Sequence, residues 1–97
     1  MKVSEINIEI VEQYLQLEID KENPAEALEM NMYIEASKSY LSEYTGLTLE
    51  EIDEYTHLVP PTLLLISDMY ENKTLDGSKV ENRTFRSLIN INKKVSL

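Results

Sequence analysis

The chain has 97 residues, no cysteine, and 18 acidic against 9 basic residues, which gives it a net charge of -9. This length suits a single domain with one modest core, which we expect to span residues 1–97. The acidic balance argues against direct binding of nucleic acid or of an anionic membrane by the domain as a whole, and the lack of cysteine excludes disulfides and thiolate metal sites.

The apolar runs of the sequence bear on where the protein is made. The N-terminus lacks the apolar run and small-residue cleavage site of a secretory signal, and no run approaches the ~20 apolar residues of a membrane span. The sequence therefore predicts a soluble protein, made in a cytoplasm, with no membrane partner.

Charge is distributed unevenly along the chain. Residues 1–56 carry fourteen acidic and three basic side chains, whereas residues 57–97 carry four and six, so their net charges are -11 and +2. One interpretation is that the acidic helices simply have solvated surfaces. The other is head-to-tail association, in which the acidic half of one copy contacts the basic C-terminal segment of the next.

The first predicted helix covers residues 8–17. Asn7 can cap it, and four apolar residues follow at helical spacing. The residues expected on this buried face are Ile8, Val11, Tyr14 and Leu15. Residues 18–23 are mostly charged or polar and predict a polar connector.

The second predicted helix covers about residues 24–45. Asn23 supplies a cap, Pro24 suits the first helical position, and Glu26 can reach back to the cap. Gly46 is expected to end the helix in the left-handed conformation. Two neighbouring apolar stripes predict a wide buried face: Leu28, Met32, Ala36 and Tyr40 form one, and Met30, Ile34 and Leu41 form the other.

A short third helix is predicted over residues 49–55. Thr48 and Glu51 have the spacing of a capping box, in which each side chain accepts a hydrogen bond from the other residue's backbone. Leu49 and Ile52 are expected to point inward.

Residues 60–74 form the predicted central helix. Val59 precedes a proline and is expected to be extended, so that the prolines make a corner before the helix. Residues 63–66 are four consecutive aliphatic residues, which places this part of the helix in the middle of the core. The last turn, from Tyr70 to Lys73, is expected to emerge from the core and contact solvent or a partner.

The C-terminal part is predicted to contain a turn at residues 75–79, a last helix at 83–91 and a tail at 92–97. Asn82 can cap this helix. The side chains spaced to dock on the core are Phe85, Leu88 and Ile89. The predicted fold is therefore all-α: a bundle of four to five helices with a central apolar helix, a C-terminal helix and a tail.

The sequence offers no catalytic, cofactor or metal site. His57 is the only histidine, so neither a two-histidine metal site nor a relay with cysteine can form. The carboxylates of residues 50–54 lack the order of a calcium loop and are explained by the start of a helix. Gly46 and Gly77 are the only glycines, too few for a phosphate-binding loop. We therefore expect an interaction protein, without a cofactor and not an enzyme.

The order of the elements resembles the head-tail connector (portal adaptor or head-completion) proteins of tailed bacteriophages. The resemblance extends over nearly the whole chain and rests on a collinear set of segments. These are residues 12–17 (EQYLQL), 34–41 (IEASKSYL), 44–48 (YTGLT), 63–73 (LLLISDMYENK) and 80–90 (VENRTFRSLIN). Two positions depart from the family pattern: Lys73 stands where arginine is usual, which weakens any bidentate contact there, and Phe85 is bulkier than the expected aliphatic residue.

The resemblance implies a structural virion protein at the head-tail interface, assembled in the cytoplasm of a bacterial host. Such proteins form a ring, twelve-fold on the portal, that extends the DNA channel and contacts stopper or tail-completion proteins. DNA passes through the ring without specific binding. The residues that become candidates for contacts between subunits or with the portal are Tyr70, Asn72, Lys73, Arg83, Phe85, Arg86, Lys93 and Lys94.

A second hypothesis comes from the acidity alone. A small acidic inhibitor that mimics DNA would need carboxylates in a phosphate-like row, and Glu22, Glu26 and Glu29 do fall on one helical face. Lys21 and Lys38 lie nearby in the sequence, and the other acidic residues are spread over several elements. The sequence therefore favours the connector. An all-helical enzyme subunit or a transcription regulator is disfavoured, because a catalytic set and a basic recognition helix are both missing.

Overall fold

The computed structural model of the chain describes residues 1–73, and every regular element in that range is helical. The α-helices are α1 (Ile8–Leu15), α2 (Pro24–Thr45), α3 (Leu49–Ile52) and α4 (Val59–Asn72). Short 3-10 helices cover Val3–Glu5 and Thr56–Leu58. The predicted all-α bundle is confirmed, while the helix and tail predicted at 83–91 and 92–97 lie outside the described residues.

The helix starts predicted at Asn7, Asn23 and Thr48 are confirmed, and the one predicted at Asn82 lies outside the described residues. Glu26 does not reach back to the cap of α2 as predicted, because the Asn23 N–H donates to the Asp20 carbonyl. The side-chain oxygen of Asn7 accepts a hydrogen bond from the backbone N–H of Ile10 at 3.0 Å, and that of Asn23 accepts one from Ala25 at 3.1 Å. The Thr48 hydroxyl accepts from the Glu51 N–H at 3.2 Å, and the Glu51 carboxylate accepts from the Thr48 N–H at 3.0 Å. Each bond satisfies a backbone donor that the first helical turn leaves free.

Gly46 ends α2 as predicted. Its φ of 74° lies in the left-handed region, and its N–H donates to the Ser42 carbonyl at 2.9 Å. α1 instead ends two residues earlier than predicted, because Gln16 adopts a left-handed conformation with φ of 55°. After this early end, the connector turns back so that Ile19 is buried and its N–H donates to the Glu12 carboxylate at 3.0 Å. The connector is polar as predicted except at Ile19, whose burial was not expected.

The core lies between α2 and α4, with α1 packed against both. Its members come from every described element and include Val3, Ile6, Val11, Met30, Ile34, Leu41, Ile52, Leu58, Leu65, Ile66 and Met69. The N-terminal segment is held by the Ser4 N–H, which donates to an Asp53 carboxylate oxygen at 2.9 Å. Within the predicted aliphatic run, Leu63, Leu65 and Ile66 are buried and Leu64 is half-buried, so the run is largely core as expected.

The buried face of α2 differs from the prediction. Leu28 and Met32 are 62% and 47% exposed, whereas Tyr33 and Ser37 are buried. The face packed on α4 is therefore rotated away from the first predicted stripe. Burial of Ser37 is tolerated because its hydroxyl lies 3.5 Å from the sulfur of Met69, a weak acceptor.

Three smaller expectations were also wrong. Tyr14 is 57% exposed instead of lying on the buried face of α1. α3 is only one turn long, and Leu49, its first residue, is 48% exposed while Ile52 reaches the core. Val59 is helical instead of extended and starts α4. The prolines that follow it occupy the first turn, where no backbone donor is needed, and burial of the Val59 side chain favours this conformation.

Among residues 1–73, no helix combines the length and apolar character that crossing a membrane requires.

Candidate interaction site

The candidate interface residues fall into two groups. Tyr70, Asn72 and Lys73 lie at the C-terminal end of α4, where Tyr70 is half-buried and the other two are exposed. The second group, Arg83, Phe85, Arg86, Lys93 and Lys94, lies outside the described residues. The described part of the candidate site is therefore the end of α4.

Lys73 connects this end of α4 to α2. Its ammonium lies 3.1 Å from a carboxylate oxygen of Glu29 and 4.4 Å from the centre of the Tyr70 ring. The backbone of Lys73 is left-handed, with φ of 53°, and its N–H donates to the Met69 carbonyl, so the helix ends at this residue. Lys73 is therefore engaged within its own chain by an ion pair and a cation-π contact, although its side chain remains 61% exposed.

Tyr33 reaches the same carboxylate from within α2. Its hydroxyl donates to the Glu29 oxygen at 2.6 Å, and its ring meets that of Tyr70 edge to face, with 6.4 Å between centroids. Burial, followed by the neighbouring Glu29 carboxylate, raises the pKa of Tyr33 to about 12. The hydrogen bonds from Tyr33 and then Lys73 lower the pKa of Glu29. Glu29, Tyr33, Tyr70 and Lys73 thus form one cluster. In it, the protonated phenol of Tyr33 contacts the ionised carboxylate of Glu29.

A cleft of about 280 Å³ opens beside this cluster, between the start of α2 and the end of α4. Its lining includes Asn23, Glu26, Glu29, Met30, Tyr70 and Lys73. It thus combines two carboxylates, one ammonium, an aromatic ring and an apolar floor. Because Glu29 and Lys73 are already paired with each other, a partner would meet them as a neutral pair beside Glu26 and the Tyr70 ring, a mixture of polar and apolar contacts that is common in interfaces.

Asn72 has a local role in the described structure. Its side-chain amide donates to the carbonyl and to a carboxylate oxygen of Asp68, both at 3.0 Å. These bonds occupy its donors on its own helix, so its position at a partner surface stays a prediction.

Sequence reasoning did not assign Glu29 and Tyr33 to this site, and it named Glu29 only as part of an acidic row. Their spacing of four residues places them on one helical face, and this signal was available. The contact between Glu29 and Lys73 spans 44 residues, so it depends on how α4 packs against α2 and has no local signal.

Within residues 1–73, no group of three or more His, Cys, Asp or Glu side chains is arranged to hold a metal ion. His57 is exposed, and its ring packs edge to face with Tyr55 at 6.0 Å between centroids.

Comparison of the chain with protein-family models, with curated proteins and with solved structures found no match in any of the three.

Proposed function

We propose that the chain is a structural virion protein that forms a ring adaptor between the portal and the stopper or tail proteins of a tailed phage. The main support for the proposal is that α4 has a buried part and a surface part. Residues 63–66 lie mainly in the core, whereas Tyr70 to Lys73, the end of a segment similar to the connector family, lie at the surface beside the cleft. One part of α4 thus holds the fold together, while the other is accessible to a partner.

An exposed apolar pair supports a role in assembly. Leu28 and Met32 are separated by one turn on the outer face of α2 and are 62% and 47% exposed. Adjacent exposed apolar side chains lose water when a partner covers them, and interfaces gain affinity from such groups. The pair lies in the first half of α2, as does Glu29 of the cleft, so one partner can contact both.

The charge distribution supports passage of DNA without binding. Residues 1–73 carry sixteen acidic and four basic side chains. A channel lined by such a surface repels phosphate groups and does not hold the DNA as it slides. The partners under this proposal are further copies of the chain, the portal and the stopper, in a virion assembled in the bacterial cytoplasm.

The contacts of Glu29 weaken the hypothesis of a DNA-mimicking inhibitor. A phosphate mimic needs carboxylates in a row and free to face a basic cleft. Glu22 lies before the start of α2, and Glu29, the last member of the predicted row, is bound by Lys73 and Tyr33. The connector therefore accounts better for this part of the surface.

The proposal is tested by mixing the purified chain with its cognate portal and imaging the complex by electron microscopy. We expect ring density on the portal at its tail-facing end. A portal that stays bare at saturating concentrations of the chain contradicts the proposal. A chain that is monomeric alone is compatible with it, because such a ring can require the portal as its template.

Two matched variants test the role of the exposed apolar pair. Leu28→Glu and Ser39→Glu each place one negative charge at an exposed position of α2. Only Leu28→Glu removes part of the apolar pair, so we expect it to abolish the ring while Ser39→Glu keeps it.

A further inference from the structure

One carboxylate oxygen of α4 lacks a donor. Oδ2 of Asp68 is buried and has no hydrogen-bond partner among residues 1–73. The other oxygen, Oδ1, accepts from the side-chain amide of Asn72 at 3.0 Å. A buried carboxylate oxygen without a donor is strongly unfavourable, so such groups nearly always have one.

The surroundings of Asp68 indicate where a donor can come from. Asp68 lies on one stripe of α4 with Pro61 and Leu64, at spacings of seven and four residues. This stripe adjoins the one formed by Ile66 and Met69 in the core. Leu64 and Asp68 are both half-buried, so the stripe offers an apolar side chain beside an acceptor.

None of the four lysines of the described range supplies the donor. Lys2 is exposed near the N-terminus and makes no bond to Oδ2, and the other three have partners elsewhere. Lys21 pairs with Glu12 at 2.9 Å, and Lys73 pairs with Glu29 at 3.1 Å. Lys38 donates to the carbonyl of Ile6 at 3.2 Å.

The rest of the chain has the complementary chemistry. Residues 74–97 carry five basic and two acidic side chains, against sixteen acidic and four basic in residues 1–73. They begin directly after Lys73, and nine residues, 74–82, precede the predicted helix at 83–91. A connection of that length, which includes Gly77, is long enough to return a helix alongside the one before it.

The helical spacing distinguishes between the two arginines of residues 83–91. The predicted apolar face is formed by Phe85, Leu88 and Ile89. At about 100° per residue, Arg86 lies about 60° from Ile89, at the border of this face. Arg83 lies about 120° from its nearest member, also Ile89, and so on the far side. When the apolar face covers Leu64, Arg86 is the arginine that can reach Asp68.

We propose that Leu64 and Asp68 form the docking site on α4 for residues 83–91 of the same chain, with the Arg86 guanidinium donating to Oδ2 of Asp68. Arg86 then belongs to the fold of the subunit, and Arg83 remains available to partners. The inference is independent of the proposed function, since it concerns how one chain completes its own bundle.

The test is a double-mutant cycle in the full-length chain, read by chemical unfolding. Asp68→Asn keeps the shape of the side chain and the bond from Asn72 while removing the charge. We expect it to raise the unfolding equilibrium constant at least about tenfold in the wild-type background, as for loss of a hydrogen bond between charged groups. In an Arg86→Gln background the same change should have an effect below about threefold, because its partner is already gone.

Two control variants keep the cycle specific. In an Arg83→Gln background, Asp68→Asn should retain its full effect. Glu71→Gln, an exposed carboxylate of the same helical turn, should show no coupling to Arg86.

Three results would overturn the proposal. A neutral or stabilising Asp68→Asn shows that Oδ2 has no donor in the folded chain. An effect of equal size with and without Arg86 shows that the donor is another group. An effect that grows with protein concentration shows that the donor belongs to a second copy and not to the same chain.

Discussion

Glu29 is the residue on which the contacts between α2 and the end of α4 converge. It accepts hydrogen bonds from Tyr33 at 2.6 Å and from Lys73 at 3.1 Å. Both partners stabilise the ionised carboxylate, which is why the pKa of Glu29 is lowered. Burial, together with the same carboxylate, disfavours the phenolate of Tyr33 and raises its pKa to about 12.

This arrangement predicts how Tyr33 titrates. A difference titration between the wild-type chain and Tyr33→Phe, followed by phenolate absorbance, should isolate a single phenol with a pKa near 12. An ordinary tyrosine titrates at about pH 10. A Tyr33 signal that appears at about pH 10 would show that the hydroxyl is solvated and does not donate to Glu29.

The stability change follows from the same shift. The pKa of Tyr33 is higher in the folded chain than the roughly 10 of the unfolded chain, so folding favours the protonated phenol. Its contribution to the free energy of unfolding is complete below about pH 10 and is lost as the pH rises towards about 12. At neutral pH, Tyr33→Phe should cost about 1 kcal/mol in chemical unfolding. Tyr14→Phe, at an exposed position, is the control and should cost less than about 0.5 kcal/mol.

At the scale of elements, the sequence predicted where helices begin better than which faces they bury. Starts at Asn7, Asn23 and Thr48 depend on side chains that bond to backbone groups two or three residues away. This chemistry is local and can be read from sequence. The end of α2 at Gly46 has the same local cause.

The buried face of α2 had no such local cause. Apolar side chains occur around most of its first half, so Met30 and Met32 are equally good core candidates by periodicity. Packing against α4 decides between them and buries Met30 while leaving Met32 exposed. The candidate site was predicted only in part for the same reason: Tyr70 and Lys73 were named, but their contacts to α2 depend on tertiary packing.

These two methionines give a matched test of the α2 face. Met30→Ala should destabilise the chain by about 2–4 kcal/mol, because it removes a buried side chain and leaves a cavity. Met32→Ala makes the same chemical change at an exposed position of the same helix and should cost less than about 0.5 kcal/mol. Chemical unfolding measures both. If the two variants lose equal stability, or if Met32→Ala loses more, α2 packs on α4 through the stripe that contains Leu28 and Met32.

At the scale of the whole molecule, the opposite charges of its two parts bear on the ring assembly that we propose. A closed ring requires heterologous contacts, in which one surface of a subunit meets a different surface of the next. The two sequence segments 1–56 and 57–97 have net charges of opposite sign, -11 and +2, as contacts between unlike surfaces would need. If Arg86 pairs with Asp68 inside the subunit, the basic side chains left for a neighbour are Arg83, Lys93 and Lys94, with Lys79 in the turn predicted at residues 75–79.

The assembly prediction follows from this assignment. Replacing Arg83, Lys93 and Lys94 by glutamine should prevent ring formation on portals, because the acidic surface of the neighbour loses its partner charges. Ring formation by the wild-type chain should also weaken as salt is raised towards about 1 M, where screening limits charge interactions to about 3 Å. Electron microscopy of portals mixed with each variant measures both effects.

A second triple variant separates charge pairing from simple repulsion between acidic subunits. Gln13→Glu, Asn31→Asp and Ser39→Asp add three negative charges at exposed positions of the acidic part. Both triple variants therefore change the net charge from -9 to -12. Pairing predicts that the added acidic residues leave the ring intact, since they strengthen the acidic surface, whereas the loss of basic residues abolishes it. If both variants lose the ring, repulsion between subunits is the cause; if both keep it, charge plays no part in how neighbouring subunits meet.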